Sequence, residues 1–124
     1  MSYNIYGCVD ASRTANIQKI IKIIKKIRPD IIALQEVDDG TPSSANRNQA
    51  RITGDELGLD HFYVPLEKEG RHAFGLAILS RFALKKSEFT PLPNLHPSLK
   101  MRKRGGLRTE IKTPKGEVHF INTH

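Results

Sequence analysis

The apolar positions of this chain follow two periods, one typical of helices and one typical of strands. Near the start of the chain, a set of isoleucines lies at the spacing of one helical face, and lysines occupy positions between them. The set comprises Ile17, Ile20, Ile21, Ile24 and Ile27, with Ile23 at its margin. This spacing predicts an amphipathic helix packed on a sheet. A second helix is predicted from about Asn46 or Arg47 to Leu57, with Gly58 as its C-terminal cap.

Two apolar runs without polar alternation predict central strands, which are covered on both faces. They extend from Ile31 to Leu34 and from Phe74 to Ser80. Pro29 directly precedes the first run and prevents a helix from passing through it. The first run delivers a carboxylate, Glu36, at its far end. Glu36 is either a surface residue of the following loop or an active-site group at the end of the sheet.

Shorter segments with strand character surround these runs. We predict strands at residues 3–7, 61–65, 83–90, 107–112 and 117–122. The last two are joined by a hairpin turn at residues 113–116, in which Gly116 occupies the position that requires positive φ. Residues 91–101 contain three prolines without a period and are predicted to form a loop. Asn4 falls inside the first of these strands.

The composition favours an anionic partner. Twenty Lys and Arg residues against thirteen Asp and Glu give a net charge of +7, which favours nucleic acid, phosphate esters or acidic membrane surfaces. A basic run precedes Gly105 and consists of Lys100, Arg102, Lys103 and Arg104. The lysines of the first helix are explained by a solvated helix face, and a nucleic-acid patch is the alternative.

Cysteine content and hydropathy set the expected compartment. The single cysteine, Cys8, excludes a disulfide framework within the chain. The chain has no apolar stretch of transmembrane length and no signal-type N-terminus, so we expect a cytoplasmic protein. Cys8 is interpreted as a small packed residue rather than a nucleophile.

Five short motifs, each weak alone, occur in a specific order. They are Tyr-Asn-Ile near the start, Pro-Asp-Ile-Ile-Ala-Leu-Gln-Glu-Val-Asp from residue 29, Gly-Leu-Ala-Ile-Leu-Ser-Arg-Phe from residue 75, Arg-Gly-Gly-Leu-Arg from residue 104 and Phe-Ile-Asn-Thr-His at residues 120–124. In this order they resemble the N-terminal half of the endonuclease/exonuclease/phosphatase superfamily. The resemblance implies an α/β protein, namely half of a four-layer α/β/β/α sandwich with one mixed β-sheet and two helices on its outer face. It implies a single partial domain over residues 1–124 that lacks the C-terminal half.

The same resemblance implies Mg²⁺-dependent, or Mn²⁺-dependent, hydrolysis of phosphodiester or phosphomonoester bonds. Glu36 matches the metal-binding carboxylate, Asn4 the residue that orients it, and His124 the residue that contacts the scissile phosphate. Arg104 and Arg108 are candidates for the substrate phosphate, although an exposed structural role is an equal alternative. The family's later motifs, which supply a water-positioning Asp and its partner His, have no counterpart in these 124 residues. We therefore expect weak activity or none.

Two expectations concern partners. The substrate is a phosphate ester, and the resemblance leaves open DNA, nucleotides, inositol phosphates and phospholipids; the alternative is a basic, non-catalytic nucleic-acid-binding fragment of this fold. If the second sheet of the sandwich is missing, strand residues such as Ile32, Leu34 and Ile78 are exposed. In that case we expect a homodimer through the exposed sheet face.

Overall fold

A computed structural model describes residues 1–9, 15–93 and 103–124. Within these ranges the helices are α1 (Ile17–Ile27) and α2 (Gln49–Leu57), and short 3₁₀ turns occur at Tyr6–Cys8 and Pro42–Ser44. The strands are β1 (Ser2–Asn4), β2 (Ile31–Asp39), β3 (Asp60–Glu69), β4 (His72–Ser80), β5 (Leu84–Pro91), β6 (Gly105–Thr113) and β7 (Gly116–Thr123). Both predicted helices and every predicted strand are therefore present, with shifted ends. No helix in the described ranges is long and apolar enough to cross a membrane.

The strands form two hydrogen-bonded sheets in the described part of the chain. The first has the order β1-β2-β4-β3, and the second has the order β5-β6-β7. β1 runs parallel to β2, and the other neighbouring strands are antiparallel. The α/β class and the half sandwich are confirmed. The mixed sheet with the two helices on its outer face is also confirmed, as the first sheet. The structure adds a second, antiparallel sheet, in which β6 alternates buried Leu107 and Ile111 with half-exposed Arg108 and Glu110 and so buries one face only.

The chain has two apolar layers, one on each face of the first sheet. On the helix side, Ile20, Ile24 and Ala50 pack with Ile32, Leu34, Val37 and Leu79. Between the sheets, Leu66, Leu76 and Ile78 pack with Leu107 and Ile111. The layers thus run from helices to first sheet to second sheet. Burying each large aliphatic side chain contributes about 1.5–3 kcal/mol, so both layers stabilise the fold.

This layering removes the basis for the expected homodimer. Ile32, Leu34 and Ile78 are all fully buried within the single chain. The helices cover the first two residues, and the second sheet covers Ile78. The chain itself supplies the cover that a second copy was expected to provide.

Local signals set the ends of the helices. The Asn16 side chain caps α1 by accepting a hydrogen bond from the backbone N–H of Lys19 at 3.3 Å. Lys25 and Lys26 lie in the last turn of α1, where the helix dipole favours cations. Gly58 ends α2 with φ of 64°, as its position in the sequence predicted.

Candidate active site

Glu36 lies on a β-bulge. Gln35 pairs with Leu76 and Val37 pairs with Gly75, so Glu36 is the extra residue of β2 and has φ of 57°. The strand does not end at Glu36, as the sequence suggested, but continues to Asp39. Because of the bulge, the side chain of Val37 lies on the helix side of the sheet, as those of Ile32 and Leu34 do. Glu36 itself has no partner residue in the pairing of β2 with β4. A left-handed conformation costs a non-glycine residue about 1–2 kcal/mol, and such strain is concentrated at functional sites.

Gly75 of the neighbouring strand fits this bulge. Gly75 lies between Val37 and Pro65, and β3 has its own register shift between Pro65 and Glu67. A Cβ atom at Gly75 would collide with the backbone carbonyl of Val64. Only glycine therefore allows the backbone of β3 to lie this close to β4. The close approach occurs where both neighbours of β4, namely β2 and β3, have a register shift.

The second sheet brings His124 to this bulge. Nε2 of His124 lies 3.5 Å from Oε1 of Glu36, although the two residues belong to different sheets. The side chain of His124 is 27% exposed and that of Glu36 is 16% exposed. Both groups are therefore accessible to a small ligand yet partly shielded from water, which strengthens their electrostatic interactions.

Arg104 orients the imidazole of His124. Nη1 of Arg104 lies 2.7 Å from Nδ1 of His124. A guanidinium group has donors and no acceptor, so Nδ1 must accept this hydrogen bond. The ring proton is then carried by Nε2, the nitrogen that faces Glu36. In this arrangement His124 presents an N–H donor at the carboxylate.

Asn4 lies on the strand next to Glu36. It pairs in parallel register with Gln35, the residue before Glu36. Oδ1 of Asn4 accepts a hydrogen bond from the backbone N–H of Tyr6 at 3.0 Å, and Nδ2 is the donor group of the same amide. The structure therefore places Asn4, Glu36, His124 and Arg104 at one region of the molecule.

Arg108 is not brought to this region. It lies on the outer face of the second sheet, where Nη2 is 3.0 Å from Glu110 and 2.6 Å from Nδ1 of His119, and Nη1 is 3.3 Å from Glu88. Alternation along β6 explains this, because Leu107 on one side and Thr109 on the other point into the core. The exposed structural role is the alternative that these contacts support. Of the basic run, Lys100 and Arg102 lie outside the described residues.

Sequence reasoning missed a buried amide pair behind the site. Nε2 of Gln35 donates a hydrogen bond to Oδ1 of Asn122 at 2.7 Å, and both side chains are buried. The available signal was a pair of amide residues in strands that otherwise bury apolar groups. Buried amides are retained where their hydrogen bonds are satisfied, so this pair has a structural or functional purpose.

The donor set decides which metal the site fits. No group of three or more His, Cys, Asp or Glu side chains that could hold an ion occurs in the described ranges. That excludes, for these residues, the three-ligand or four-ligand set typical of zinc. Mg²⁺ requires one or two carboxylates and keeps several waters. The carboxylate of Glu36 fits such a weakly held, water-rich Mg²⁺ ion.

Two neighbouring side chains are structural. Asp38 accepts a hydrogen bond from the Thr41 hydroxyl at 3.2 Å and so connects the end of β2 to the turn that follows. Cys8 is buried, and burial, assisted by the Asp38 carboxylate, raises the pKa of its thiol to about 12. A thiol with that pKa is inert as a nucleophile near neutral pH.

Comparison with known proteins agrees with this fold. The model of the Endonuclease/Exonuclease/phosphatase family matches residues 1–116. No curated protein matches the chain. Among solved structures, an endonuclease/exonuclease/phosphatase from Beutenbergia cavernae DSM 12333 has a TM-score of 0.75 at 23% identity, covering 99% of this chain and 36% of its own.

Two further solved structures share the fold. Truncated TDP2 of Caenorhabditis elegans has a TM-score of 0.68 at 27% identity, covering 99% of this chain and 44% of its own. ANGEL2, described as a 2',3'-cyclic phosphatase, has a TM-score of 0.67 at 25% identity, covering 99% of this chain and 39% of its own. The chain thus spans less than half the length of these three structures. Its fold and its matched residues place it in one group with them: the chain belongs to the endonuclease/exonuclease/phosphatase family.

Proposed function

We propose that this chain carries the metal-binding and phosphate-binding part of a Mg²⁺-dependent phosphoester hydrolase site. The observation that carries the proposal is the approach of His124 to Glu36 at 3.5 Å across two sheets. A carboxylate suited to Mg²⁺ and an N–H donor suited to a phosphate oxygen are thereby held side by side. Phosphoester hydrolysis needs both groups close together, because positive charge and hydrogen-bond donors must stabilise the negative charge on the phosphate oxygens in the transition state.

Each residue has a distinct role in this proposal. Glu36 holds the metal ion, and when bound the Mg²⁺ polarises the phosphoryl group as a Lewis acid. His124 donates Nε2–H to a phosphate oxygen and stabilises the charge that develops there. Arg104 fixes the tautomer of His124 and contributes a positive charge near the phosphate. Asn4 offers its Nδ2 amide at the neighbouring strand.

The described residues also support slow turnover. No third His, Cys, Asp or Glu side chain joins Glu36 and His124 in a metal-holding group within the described ranges. The water-positioning Asp and the partner His that the family resemblance implies have no counterpart in these 124 residues. Loss of a general base or acid typically lowers a rate by about 10²–10⁴-fold. We therefore propose weak metal binding and poor hydrolysis for these 124 residues, with a phosphate ester as the ligand.

The proposal is tested by metal binding and by hydrolysis. Mn²⁺, whose binding can be followed by electron paramagnetic resonance, replaces Mg²⁺ as the probe, and release of nitrophenol from bis(p-nitrophenyl) phosphate reports turnover. We expect weak Mn²⁺ binding that decreases at least tenfold in Glu36→Gln, which removes the charge but keeps the shape. Equal Mn²⁺ affinity in both proteins contradicts the proposal. Fast turnover that disappears in Glu36→Gln would show that another residue supplies the missing base.

The net charge of +7 supports a second candidate, a basic nucleic-acid-binding fragment. The exposed lysines of α1, namely Lys19, Lys22, Lys25 and Lys26, supply part of this charge. Binding of this kind weakens steeply with salt and does not require Glu36. Fluorescence anisotropy with a labelled oligonucleotide distinguishes the candidates, since salt-sensitive binding that is unchanged in Glu36→Gln would favour the second one.

A further inference from the structure

The buried amide of Asn122 joins the two sheets. Its Nδ2 donates hydrogen bonds to the backbone carbonyls of Leu34 in β2 and Ala77 in β4, both at 2.8 Å. Its Oδ1 accepts a hydrogen bond from Nε2 of Gln35 at 2.7 Å. The Asn122 side chain is therefore fully hydrogen-bonded at a residue exposure of 1%. It attaches the end of β7 to the centre of the first sheet.

The network extends to β1. Nε2 of Gln35 also lies within hydrogen-bonding distance of Oγ of Ser2, at 3.2 Å. Ser2, Gln35 and Asn122 thus connect β1, β2 and β7 behind the candidate site. A site residue follows each of these three residues one or two positions further along the chain. The members and the site residues that follow them are Ser2 and Asn4, Gln35 and Glu36, and Asn122 and His124.

The amide pair adds directional contacts to the packing between the two sheets; in the described residues, the backbone N–H of Leu84 in β5 also donates to the Asp60 carboxylate in β3 at 2.9 Å. The two sheets pack through apolar side chains such as Ile78 and Leu107. Hydrophobic contact is non-directional and tolerates sliding of one layer over the other. Hydrogen bonds weaken steeply when their geometry changes, so the amide pair fixes the offset between β2 and β7. That offset determines the separation of Glu36 and His124.

We propose that Gln35 and Asn122 are positioning residues, which hold the His124 imidazole at the Glu36 carboxylate. The proposal deepens the proposed function and rests on it for its consequence in metal and phosphate binding. The positioning itself does not depend on the proposed function, because it concerns only the contact between the side chains of Glu36 and His124. A displacement of about 1 Å at a reacting group lowers a rate by about 10²-fold.

The deciding experiment measures the coupling between Glu36 and His124 without metal. Ring resonances of His124 are recorded by NMR at one fixed pH in the native chain and in Glu36→Gln. Because the two side chains lie 3.5 Å apart, we expect the substitution to shift those resonances. The same comparison, with and without Glu36→Gln, is then made in a protein that also carries Gln35→Met. This substitution keeps the length of the side chain but removes the amide. We expect the shift to disappear there.

A matched control separates positioning from general stability. Thr109 is fully buried on the inner face of β6 and its Oγ1 lies 3.1 Å from Ser87 Oγ. Thr109→Val also removes a buried hydrogen bond of the second sheet, but at a distance along the strand from the site. We expect it to reduce stability and to preserve the coupling. An equal coupling in the Gln35→Met background, or a lost coupling in Thr109→Val, would overturn the proposal.

Two further arms keep the test decisive. If Gln35→Met does not fold, Gln35→Asn retains an amide that no longer reaches Asn122, and the same loss of coupling is expected. With Mn²⁺, we expect Gln35→Met to keep binding the ion while the ion broadens the His124 ring signals less than in the native chain; unchanged broadening would contradict positioning. Failure of the native chain to bind Mn²⁺ overturns the proposed function, whereas the metal-free coupling still decides the positioning.

Discussion

Arg104 donates a hydrogen bond to Nδ1 of His124, while Nε2 of the same ring faces Glu36. One contact therefore decides which nitrogen meets the carboxylate. We predict that Arg104→Met lets the imidazole turn and exchange tautomers, because no guanidinium then occupies Nδ1. Binding of inorganic phosphate should weaken by about 10- to 100-fold, the range found for groups that orient a ligand side chain. Nitrogen chemical shifts of the ring and isothermal titration measure the two effects.

The second sheet contains a matched control for this prediction. Arg108 approaches Nδ1 of His119 at 2.6 Å on its outer face, and this Arg–His pair lies apart from Glu36. Arg108→Met should leave ligand binding unchanged within about twofold, since Arg108 contacts Glu88, Glu110 and His119 on the outer face of the second sheet. Its exposed charge pairs contribute only about 0–1 kcal/mol to stability. Equal losses in both variants would mean that net charge, rather than orientation of His124, governs binding.

The conformation of Glu36 predicts a conflict between stability and function. Its φ of 57° is unfavourable for any residue with a Cβ atom and is readily adopted by glycine. We predict that Glu36→Gly is more stable than Glu36→Ala by about 0.5–1 kcal/mol, after the larger flexibility of unfolded glycine is subtracted. Both variants should lose Mn²⁺ binding. Urea unfolding of the two variants provides the comparison; a less stable Gly variant would show that the bulge is not strained.

Gly75 should resist substitution. A methyl group there meets the Val64 carbonyl, which is backbone and cannot rotate away. We expect Gly75→Ala to lower the free energy of unfolding by about 1–3 kcal/mol, typical of overpacking, and to weaken Mn²⁺ binding by disturbing the Glu36 bulge. Gly106→Ala is the control in a strand, because its Cβ would meet only Ile121 Cγ2 at 3.8 Å. It should change stability by less than about 0.5 kcal/mol.

The sequence predicted the parts of the fold that depend on local periods. The isoleucine spacing identified α1, and the continuous apolar runs identified β2 and β4 as the central strands of the first sheet. The sequence did not predict that the strands form two sheets. The alternation in β6 indicates that one face of the strand is buried, but it does not indicate which layer covers that face. For the same reason the buried state of Ile78 was missed.

The candidate site was predictable only through the order of the motifs. Glu36, Asn4 and His124 were selected by resemblance, and the structure brings Glu36 and His124 together. The bulge was not predictable, because a glutamate gives no sequence signal for positive φ. Separation in the chain hid the amide pair, since Gln35 and Asn122 are 87 residues apart and meet only after the sheets stack.

Cys8 makes the stability of the fold sensitive to alkaline pH. Burial raises the pKa of its thiol from 9.0 to about 12 in the folded chain, so the folded state keeps a proton that the unfolded state has lost. The contribution to stability is therefore complete below pH 9 and disappears as the pH rises to about 12. We predict that the free energy of unfolding falls through this interval, and that Cys8→Ala makes the fall shallower. Burial also raises the pKa of Tyr63 from 10.0, so Tyr63→Phe should affect only the part of the curve above pH 10. Urea unfolding across the interval measures both slopes, and a Cys8→Ala curve parallel to that of the native chain would refute the assignment to this thiol.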